Sequence, residues 1–150
     1  YPAAFYPHKN HFLLNMIDIR NPVKIFLTIE EQQAGKARKE IECIGRVTRD
    51  EIFAMYRRVD ALLFLSSNES LGMPILEAVK CNLPIICPYA EYTKELGSEN
   101  CFFFDIQNPS SLVSAIDLAK RKILEGWWPD WDFDAVATSA KSVALEDIIL

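Results

Sequence analysis

Apolar and polar positions along the chain alternate in blocks that predict strands and helices in turn. Short apolar runs are typical of buried strands, and apolar residues repeated every three or four positions are typical of helices. The predicted strands cover residues 1–6, 23–29, 40–44, 61–65, 84–87 and 101–104. The predicted helices cover residues 11–19, 48–59, 73–80, 110–124 and 134–150. This order predicts an α/β fold with a Rossmann-like parallel sheet and helices on both faces.

Local signals mark where several of these elements begin. Thr48 and Glu51 have the spacing of a capping box, which opens a helix. Pro74 suits the first turn of the next helix, where its missing N–H is not needed. Asn108 and Ser110 are alternative caps for the helix at 110–124. The run 61–65 is apolar throughout, which is typical of a central strand buried on both faces.

The first predicted helix has a single apolar stripe. At helical spacing, Phe12, Leu13, Met16 and Ile17 share one face, and we expect that face to be buried. His11 falls outside the stripe, so we expect it on the helix surface.

Length and charge limit the possible functions. With 150 residues, the chain is expected to form one domain, 1–150. A net charge of −5 argues against broad electrostatic binding to nucleic acid or anionic lipid. The four cysteines are widely spaced and predict reduced residues of a cytosolic protein, without a zinc or disulfide framework. Because Tyr1 opens directly into a strand-like stretch, we expect the chain to be a fragment of a longer protein.

All three tryptophans lie near the C-terminal end, at positions 127, 128 and 131. Their rings are expected to cover apolar surface. They either pack on the core of this domain or form a surface that meets another domain, and the sequence leaves both alternatives open.

The segment around Gly72 carries the clearest chemical signal. A polar loop precedes the predicted helix, whose N-terminus offers unpaired N–H groups and a partial positive charge to a diphosphate. Glu69 lies just before this helix, and Glu77 lies about one turn inside it. Ionised carboxylates accept hydrogen bonds from the vicinal hydroxyls of a sugar. By residue type alone, however, two glutamates eight positions apart also fit an ordinary solvated surface.

The order of motifs resolves that ambiguity. The stretch 69–78, Glu-Ser-Leu-Gly-Met-Pro-Ile-Leu-Glu-Ala, resembles the Glu-x7-Glu motif of the family 4 retaining glycosyltransferases, which have the two-domain GT-B architecture. Ile-Gly-Arg-Val at 44–47 and Asp-Ala-Leu-Leu-Phe-Leu-Ser at 60–66 are similar to the family's approach to that motif. Leu-Pro-Ile-Ile at 83–86, Glu-Leu-Gly at 95–97 and Asn-Pro-Ser-Ser-Leu at 108–112 are similar to its continuation. The resemblance extends over nearly the whole chain.

The resemblance implies a donor-binding domain and assigns roles to its residues. It places Glu77 on the ribose hydroxyls and Glu69, the catalytic candidate, on the transferred sugar near the reacting carbon. It places Lys9 on the diphosphate, where a positive charge assists departure of the nucleotide. Two further groups of residues contact the donor. The groups at the helix N-terminus are Ser70, Leu71, Gly72 and Met73, and those that flank the base are Gly45, Arg46 and Val47.

The chain departs from the family pattern at Ala3 and Ala4, where the family usually has Gly-Arg. That arginine would be a second phosphate clamp, so either Arg46 or His8 replaces it or the catalytic power is reduced. The alternative function is therefore a weakened or inactive nucleotide-sugar-binding module used for association. A nucleotide-sugar epimerase is a third possibility, although no acid/base pair for it is visible.

The implied partners are a nucleotide diphosphate sugar and an N-terminal acceptor domain of the same protein. No metal or other cofactor is expected, because lysine and a helix end supply the positive charge. No nucleic acid partner is expected. We expect a cytoplasmic location, with any contact to the inner face of the membrane made through the absent domain.

Overall fold

A computed structural model describes residues 1–19, 22–35, 38–69, 72–94, 96 and 99–144, with side chains in the last helix described as far as Thr138. Within these residues the strands are β1 (Ile25–Leu27), β2 (Ile41–Cys43), β3 (Leu62–Leu63), β4 (Ile85–Pro88) and β5 (Cys101–Phe104). The α-helices are α1 (Leu13–Met16), α2 (Arg49–Tyr56), α3 (Met73–Lys80), α4 (Glu91–Lys94), α5 (Pro109–Leu124) and α6 (Phe133–Ala144). Strands and helices alternate as the hydrophobic pattern predicts, although α4 was not predicted.

All pairs of strands in the described part of the chain are parallel. β1 pairs with β2, and Ile25 lies opposite Ile41. β4 lies between β3 and β5, with Ile85 opposite both Leu62 and Cys101. Every residue of β4 is buried, as expected of a strand covered on both faces. The predicted Rossmann-like α/β class is therefore confirmed.

The first residues of the chain lie beside β1. The Tyr1 nitrogen donates to the Phe26 carbonyl, and the Thr28 N–H donates to the Tyr1 carbonyl, which is the bond pattern of a parallel ladder. Tyr1 also lines an apolar cavity of about 450 Å³ whose walls include β1 and β3. Within the described residues, Tyr1 thus extends the two-stranded sheet on the free side of β1, and β3, β4 and β5 form a separate three-stranded sheet.

The predicted strand 1–6 is not a regular strand, because the chain bends at Phe5, and a 3₁₀ helix follows at Pro7–Lys9. The N-terminal residues then lead to Asn10, whose φ of 53° is left-handed. The Asn10 side chain donates to the Leu65 carbonyl at 2.9 Å and so attaches this turn to the end of β3.

The prediction for the first helix is wrong in length and in its buried face. α1 has only four residues, and the chain becomes extended at Ile17, with φ −110° and ψ 154°. Phe12 and Met16 are exposed, whereas Leu13, Leu14 and Ile17 are buried. Apolar residues at helical spacing share one face only as far as the helix extends. Here the helix ends at Met16, before the last residue of the stripe, Ile17.

Helix boundaries follow their local signals elsewhere. The capping box of α2 is formed: the Thr48 N–H donates to Glu51 Oε2 at 2.6 Å, and the Glu51 N–H donates to Thr48 Oγ1 at 3.3 Å. Pro74 lies in the first turn of α3, as predicted. Asn108 is the cap residue of α5, but its side chain makes no capping bond.

Two of the three tryptophans pack on this domain. Trp127 meets Phe102 edge-on, with ring centroids 5.2 Å apart. Trp131 Nε1 donates to the Leu83 carbonyl at 2.9 Å. Trp128 is more exposed than either of them. Of the predicted helix 134–150, α6 covers the part up to Ala144, and the remainder lies outside the described residues.

His11 is buried, so its predicted surface position is wrong. Its ring lies 5.0 Å from Tyr1 and 5.6 Å from Phe5, measured between centroids. Among the described residues, neither ring nitrogen has a hydrogen-bond partner. Burial, with smaller contributions from the positive charges of the chain N-terminus and of Lys9, lowers the pKa of His11 from 6.5 to about 4.

This buried imidazole predicts that the folded state loses stability in mild acid. As the pH falls from 6.5 towards 4, the unfolded chain binds a proton at His11 while the folded chain does not, which favours unfolding. Between pH 7 and pH 5 the loss is about 2 kcal/mol. Urea unfolding at both pH values measures it, and His11→Phe should show a correspondingly smaller dependence. An identical pH dependence in the two proteins would contradict the prediction.

Candidate functional site

A cleft of about 670 Å³ lies near the carboxyl ends of β1 and β2. In parallel α/β sheets this edge is where ligands bind, because the connections to the helices diverge there. Its walls come from the N-terminal residues 2–6, the segment after β1, the segment after β2, and the first turns of α2 and α3. The cavity between β1 and β3 is lined mainly by apolar residues, so the cleft is the better candidate site.

Glu77 brings a carboxylate to the cleft from α3. Its Oε2 accepts a hydrogen bond from the Tyr56 hydroxyl at 3.2 Å. Its Oε1 lies 3.8 Å from Nε of Arg49, which also lines the cleft. Only 13% of the Glu77 side chain is exposed, so the carboxylate is held in place and partly shielded from water.

Lys9 and Glu69 form an ion pair through Nζ and Oε1, although they are 60 residues apart in sequence. The Ser66 hydroxyl also donates to Glu69 Oε1, at 2.9 Å. Burial lowers the pKa of Lys9 below its ordinary value. The backbone supports the same contact, because the Ser67 N–H donates to the His8 carbonyl at 2.9 Å. The turn that carries Lys9 is thus attached to the loop that carries Glu69.

The start of α3 is determined by close packing. Gly72 caps the helix and is buried against Phe64 of the segment after β3. A Cβ atom at Gly72 would lie 2.6 Å from Phe64 Cζ, which is too short for any carbon–carbon contact. Only glycine therefore allows the backbone to approach this ring.

The segment after β2 forms another wall. Arg46 and Val47 line the cleft. Gly45 has a left-handed φ of 67°, and a Cβ atom there would lie 3.2 Å from Glu30 Oε1. A glycine at this turn directs the chain from β2 into the cleft wall.

A family model for glycosyl transferases group 1 matches residues 27–122, which form most of the chain. This chain belongs to the glycosyl transferases group 1 family.

Curated relatives and a solved structure agree with that membership. The chain is 35% identical over 75 residues to the O-antigen biosynthesis glycosyltransferase WclY of Escherichia coli, a match that covers 50% of the chain and 21% of WclY. It is 35% identical over 79 residues to the serotype-specific mannosyltransferase WbdA of Escherichia coli, covering 53% of the chain and 10% of WbdA. A crystal structure of TarM matches 97% of the chain and 31% of TarM, with a TM-score of 0.64 and 11% identity, which shows a shared fold.

The chain thus spans about a fifth of WclY, a tenth of WbdA and a third of TarM. The expected glycosyltransferase family and α/β fold are confirmed. Membership of family 4 and the retaining reaction course stay predictions.

In this member of the glycosyl transferases group 1, the predicted site residues lie in two separate places. Arg46, Val47, Met73 and Glu77 line the cleft. Lys9 and Glu69 meet at a separate ion pair and are not among the residues that line it. Gly45 and Gly72 shape the backbone at the turns next to the cleft. The predicted residues Ser70 and Leu71 lie outside the described residues.

The structure also bears on the departure at Ala3 and Ala4. Both alanines line the cleft, so an arginine here would face it. Of the two proposed replacements, Arg46 lines the same cleft, whereas His8 stacks on Tyr6 with ring centroids 5.9 Å apart and does not.

Sequence reasoning missed two residues of the site. Neither Tyr56 nor Arg49 is among the site residues that the sequence predicts. The hydrophobic pattern shows that Tyr56 faces the core, but it does not show which group the hydroxyl contacts. A tyrosine on a predicted core stripe was the available signal, because a buried hydroxyl usually has a hydrogen-bond partner.

The described residues contain neither a cluster of metal ligands nor a helix that could span a membrane. No group of three or more His, Cys, Asp or Glu side chains in these parts of the chain is arranged to hold a metal ion. No described helix has both the length and the hydropathy that crossing a membrane requires.

The contact between Gly72 and Phe64 predicts a specific loss of stability. Gly72→Ala should lower the free energy of unfolding by about 1–3 kcal/mol, because the methyl group overpacks the ring. In a Phe64→Leu background the same substitution should cost at least about 1 kcal/mol less, since the ring is gone. Urea unfolding of the four proteins measures this coupling. Equal costs in both backgrounds would show that the ring is not the obstacle.

Proposed function

We propose that this chain is the donor-binding domain of a retaining glycosyltransferase, which moves a sugar from a nucleotide diphosphate sugar to an acceptor. The observation that carries the proposal is Glu77, a shielded carboxylate held at the wall of the cleft by Tyr56 and accompanied there by Arg46 and Arg49. A carboxylate beside positive groups suits a ligand that has both hydroxyls and phosphates.

In this proposal Glu77 accepts hydrogen bonds from the ribose hydroxyls. Gly45, Arg46 and Val47 flank the base, since Arg46 and Val47 form the wall that follows β2. The diphosphate lies towards the N-terminus of α3, with Met73 in its first turn. The aligned peptide dipoles of that helix favour an anion at this end.

Lys9 and Glu69 act on the reacting part of the donor. The bond from the anomeric carbon to the diphosphate oxygen breaks, and the diphosphate keeps the electron pair. The acceptor oxygen bonds to the same carbon with retained configuration, and its proton passes to the departing diphosphate oxygen. Lys9 has three N–H donors, so it neutralises the departing diphosphate while it remains paired with Glu69. Glu69 contacts hydroxyls of the transferred sugar, and its described bonds use Oε1.

The acceptor site is assigned to a second domain of the parent protein. The basis is that the chain spans 21% of WclY and 31% of TarM. A cytoplasmic location, with contact to the membrane made only through that domain, is part of the same proposal. The positive charge for the diphosphate comes from Lys9, Arg46 and the N-terminal end of α3. The proposal therefore assigns no role to a metal ion.

Calorimetry with UDP, GDP and ADP tests whether the cleft binds a nucleotide. Lys9→Ala and Glu77→Ala should each weaken binding of the preferred diphosphate about ten- to a hundredfold, because each removes a charge-assisted hydrogen bond. Lys94→Ala and Glu42→Ala are matched controls, since Lys94 pairs with Glu91 and Glu42 pairs with Lys24 on exposed surfaces. Wild-type affinity in both site variants would refute the proposed site.

Glu69→Gln separates the roles of the two glutamates in the same experiment. The proposal places Glu69 on the sugar, which a free nucleoside diphosphate lacks. This variant should therefore bind the diphosphate as well as the wild type does, whereas Glu77→Ala should not.

The second candidate function is a weakened or inactive nucleotide-sugar-binding module. The observation in its favour is that Ala3 and Ala4 occupy the cleft wall where the family usually has Gly-Arg. Against it, Arg46 and Arg49 already bring two guanidinium groups to the same cleft.

Ala4→Arg in the full-length parent protein distinguishes the two functions. If Arg46 and Arg49 already supply the charge, kcat/KM for the nucleotide sugar should rise by less than about threefold. A gain on the order of a hundredfold would indicate a lost clamp and favour the weakened module. Ala54→Arg, on the exposed side of α2, controls for the added charge.

A further inference from the structure

The Tyr56 hydroxyl is a polar group inside the core. Tyr56 is the last residue of α2 and is 4% exposed. Its ring meets Phe53 edge-on, with centroids 6.0 Å apart. A buried ring packed in this way has few alternative rotamers, so the position of its hydroxyl is set by the core.

Tyr56 itself lines the apolar cavity and not the cleft, but its hydroxyl reaches a carboxylate that does line the cleft. The hydroxyl donates to Oε2 of Glu77 at 3.2 Å and so links α2 to α3. Burial, with the neighbouring Glu77 charge as a smaller cause, raises the pKa of Tyr56 above its ordinary value of 10. The phenol therefore keeps its proton at any working pH and acts as the donor in this bond.

A carboxylate that holds a diol needs a defined orientation. The terminal torsion of a glutamate side chain is broad, so the plane of a free carboxylate rotates easily. Two hydroxyls on adjacent ribose carbons are bound together only when both oxygens lie in the right plane. A bond from a fixed donor to one oxygen restricts that rotation and leaves most of the lone pairs available.

Arg49 is less suited to this role. Its Nε lies 3.8 Å from Glu77 Oε1, beyond hydrogen-bond distance, and its side chain is 72% exposed. An exposed arginine is mobile and screened by water. It therefore adds positive charge near the carboxylate but does not hold the carboxylate in one orientation.

We propose that Tyr56 is a positioning residue, whose hydroxyl orients the Glu77 carboxylate towards the ribose diol of the donor. The inference rests on the proposed function, because it requires a nucleotide in the cleft. It assigns to Tyr56 no contact with the reacting atoms.

The test compares a ribose ligand with one that lacks the diol. Whichever of UDP, GDP and ADP binds the wild type most tightly serves as the probe, together with its 2′,3′-dideoxy analogue. Tyr56→Phe should weaken binding of the ribose form about three- to tenfold, the loss expected for one hydrogen bond. It should leave binding of the dideoxy form within about twofold of the wild type, because that ligand makes no bond that Tyr56 orients.

Tyr89→Phe is the matched control, because Tyr89 is exposed and lies outside the cleft wall. It should bind both ligands as the wild type does. Thermal unfolding of Tyr56→Phe shows whether the fold is intact. Phenylalanine keeps the ring and its packing, so we expect a cooperative transition.

Each other outcome overturns a defined statement. Equal losses for the ribose and dideoxy forms would show a purely structural role and overturn the positioning proposal. An unchanged affinity in Tyr56→Phe, combined with a loss in Glu77→Ala, would overturn the role of Tyr56 and leave the proposed function standing. A normal affinity of Glu77→Ala alone would also overturn the role of Tyr56. If Lys9→Ala binds normally as well, or if no nucleoside diphosphate binds the wild type, both proposals are wrong.

Discussion

The parallel pairing of β3, β4 and β5 places the carboxyl ends of these strands at one edge of the sheet. A parallel strand must be followed by a connection that returns to the opposite edge, so every helix that follows a strand begins near the same edge. α3 begins directly after the loop that follows β3, and its first turn therefore lies at the cleft. The contact between Gly72 and Phe64 then determines how closely the helix approaches the sheet.

A shielded carboxylate is stable at this edge because neighbouring side chains supply hydrogen bonds and positive charge. An ionised group removed from water requires hydrogen bonds or opposite charges. Glu77 receives a hydrogen bond from Tyr56 and lies near Arg49, and Glu69 receives bonds from Lys9 and Ser66. These contacts come from α2, the N-terminal turn and the loop after β3, so elements distant in sequence hold the two glutamates in place.

The balance of charge in the cleft follows from the same arrangement. Ala3 and Ala4 remove one positive group from the N-terminal wall, whereas Arg46, after β2, and Arg49, the first residue of α2, contribute two. A phosphate responds to the total positive charge nearby as well as to the identity of one clamp. On this physical basis the proposed donor site tolerates the departure from the family pattern at Ala3 and Ala4.

The sequence by itself determined the fold class, the order of the elements and the family. Some features depend only on neighbours close in the chain and can therefore be predicted from the sequence. Examples are the buried run 61–65, the capping box at Thr48 and the position of Pro74. The tertiary structure decided what depends on distant neighbours. α1 ends at Met16 with Phe12 and Met16 exposed, and packing against Tyr1 buries His11. Packing also brings Lys9 to Glu69 and Tyr56 to Glu77. The sequence does not predict these contacts, because a side-chain pattern predicts the face of an element and not the atom that lies opposite it.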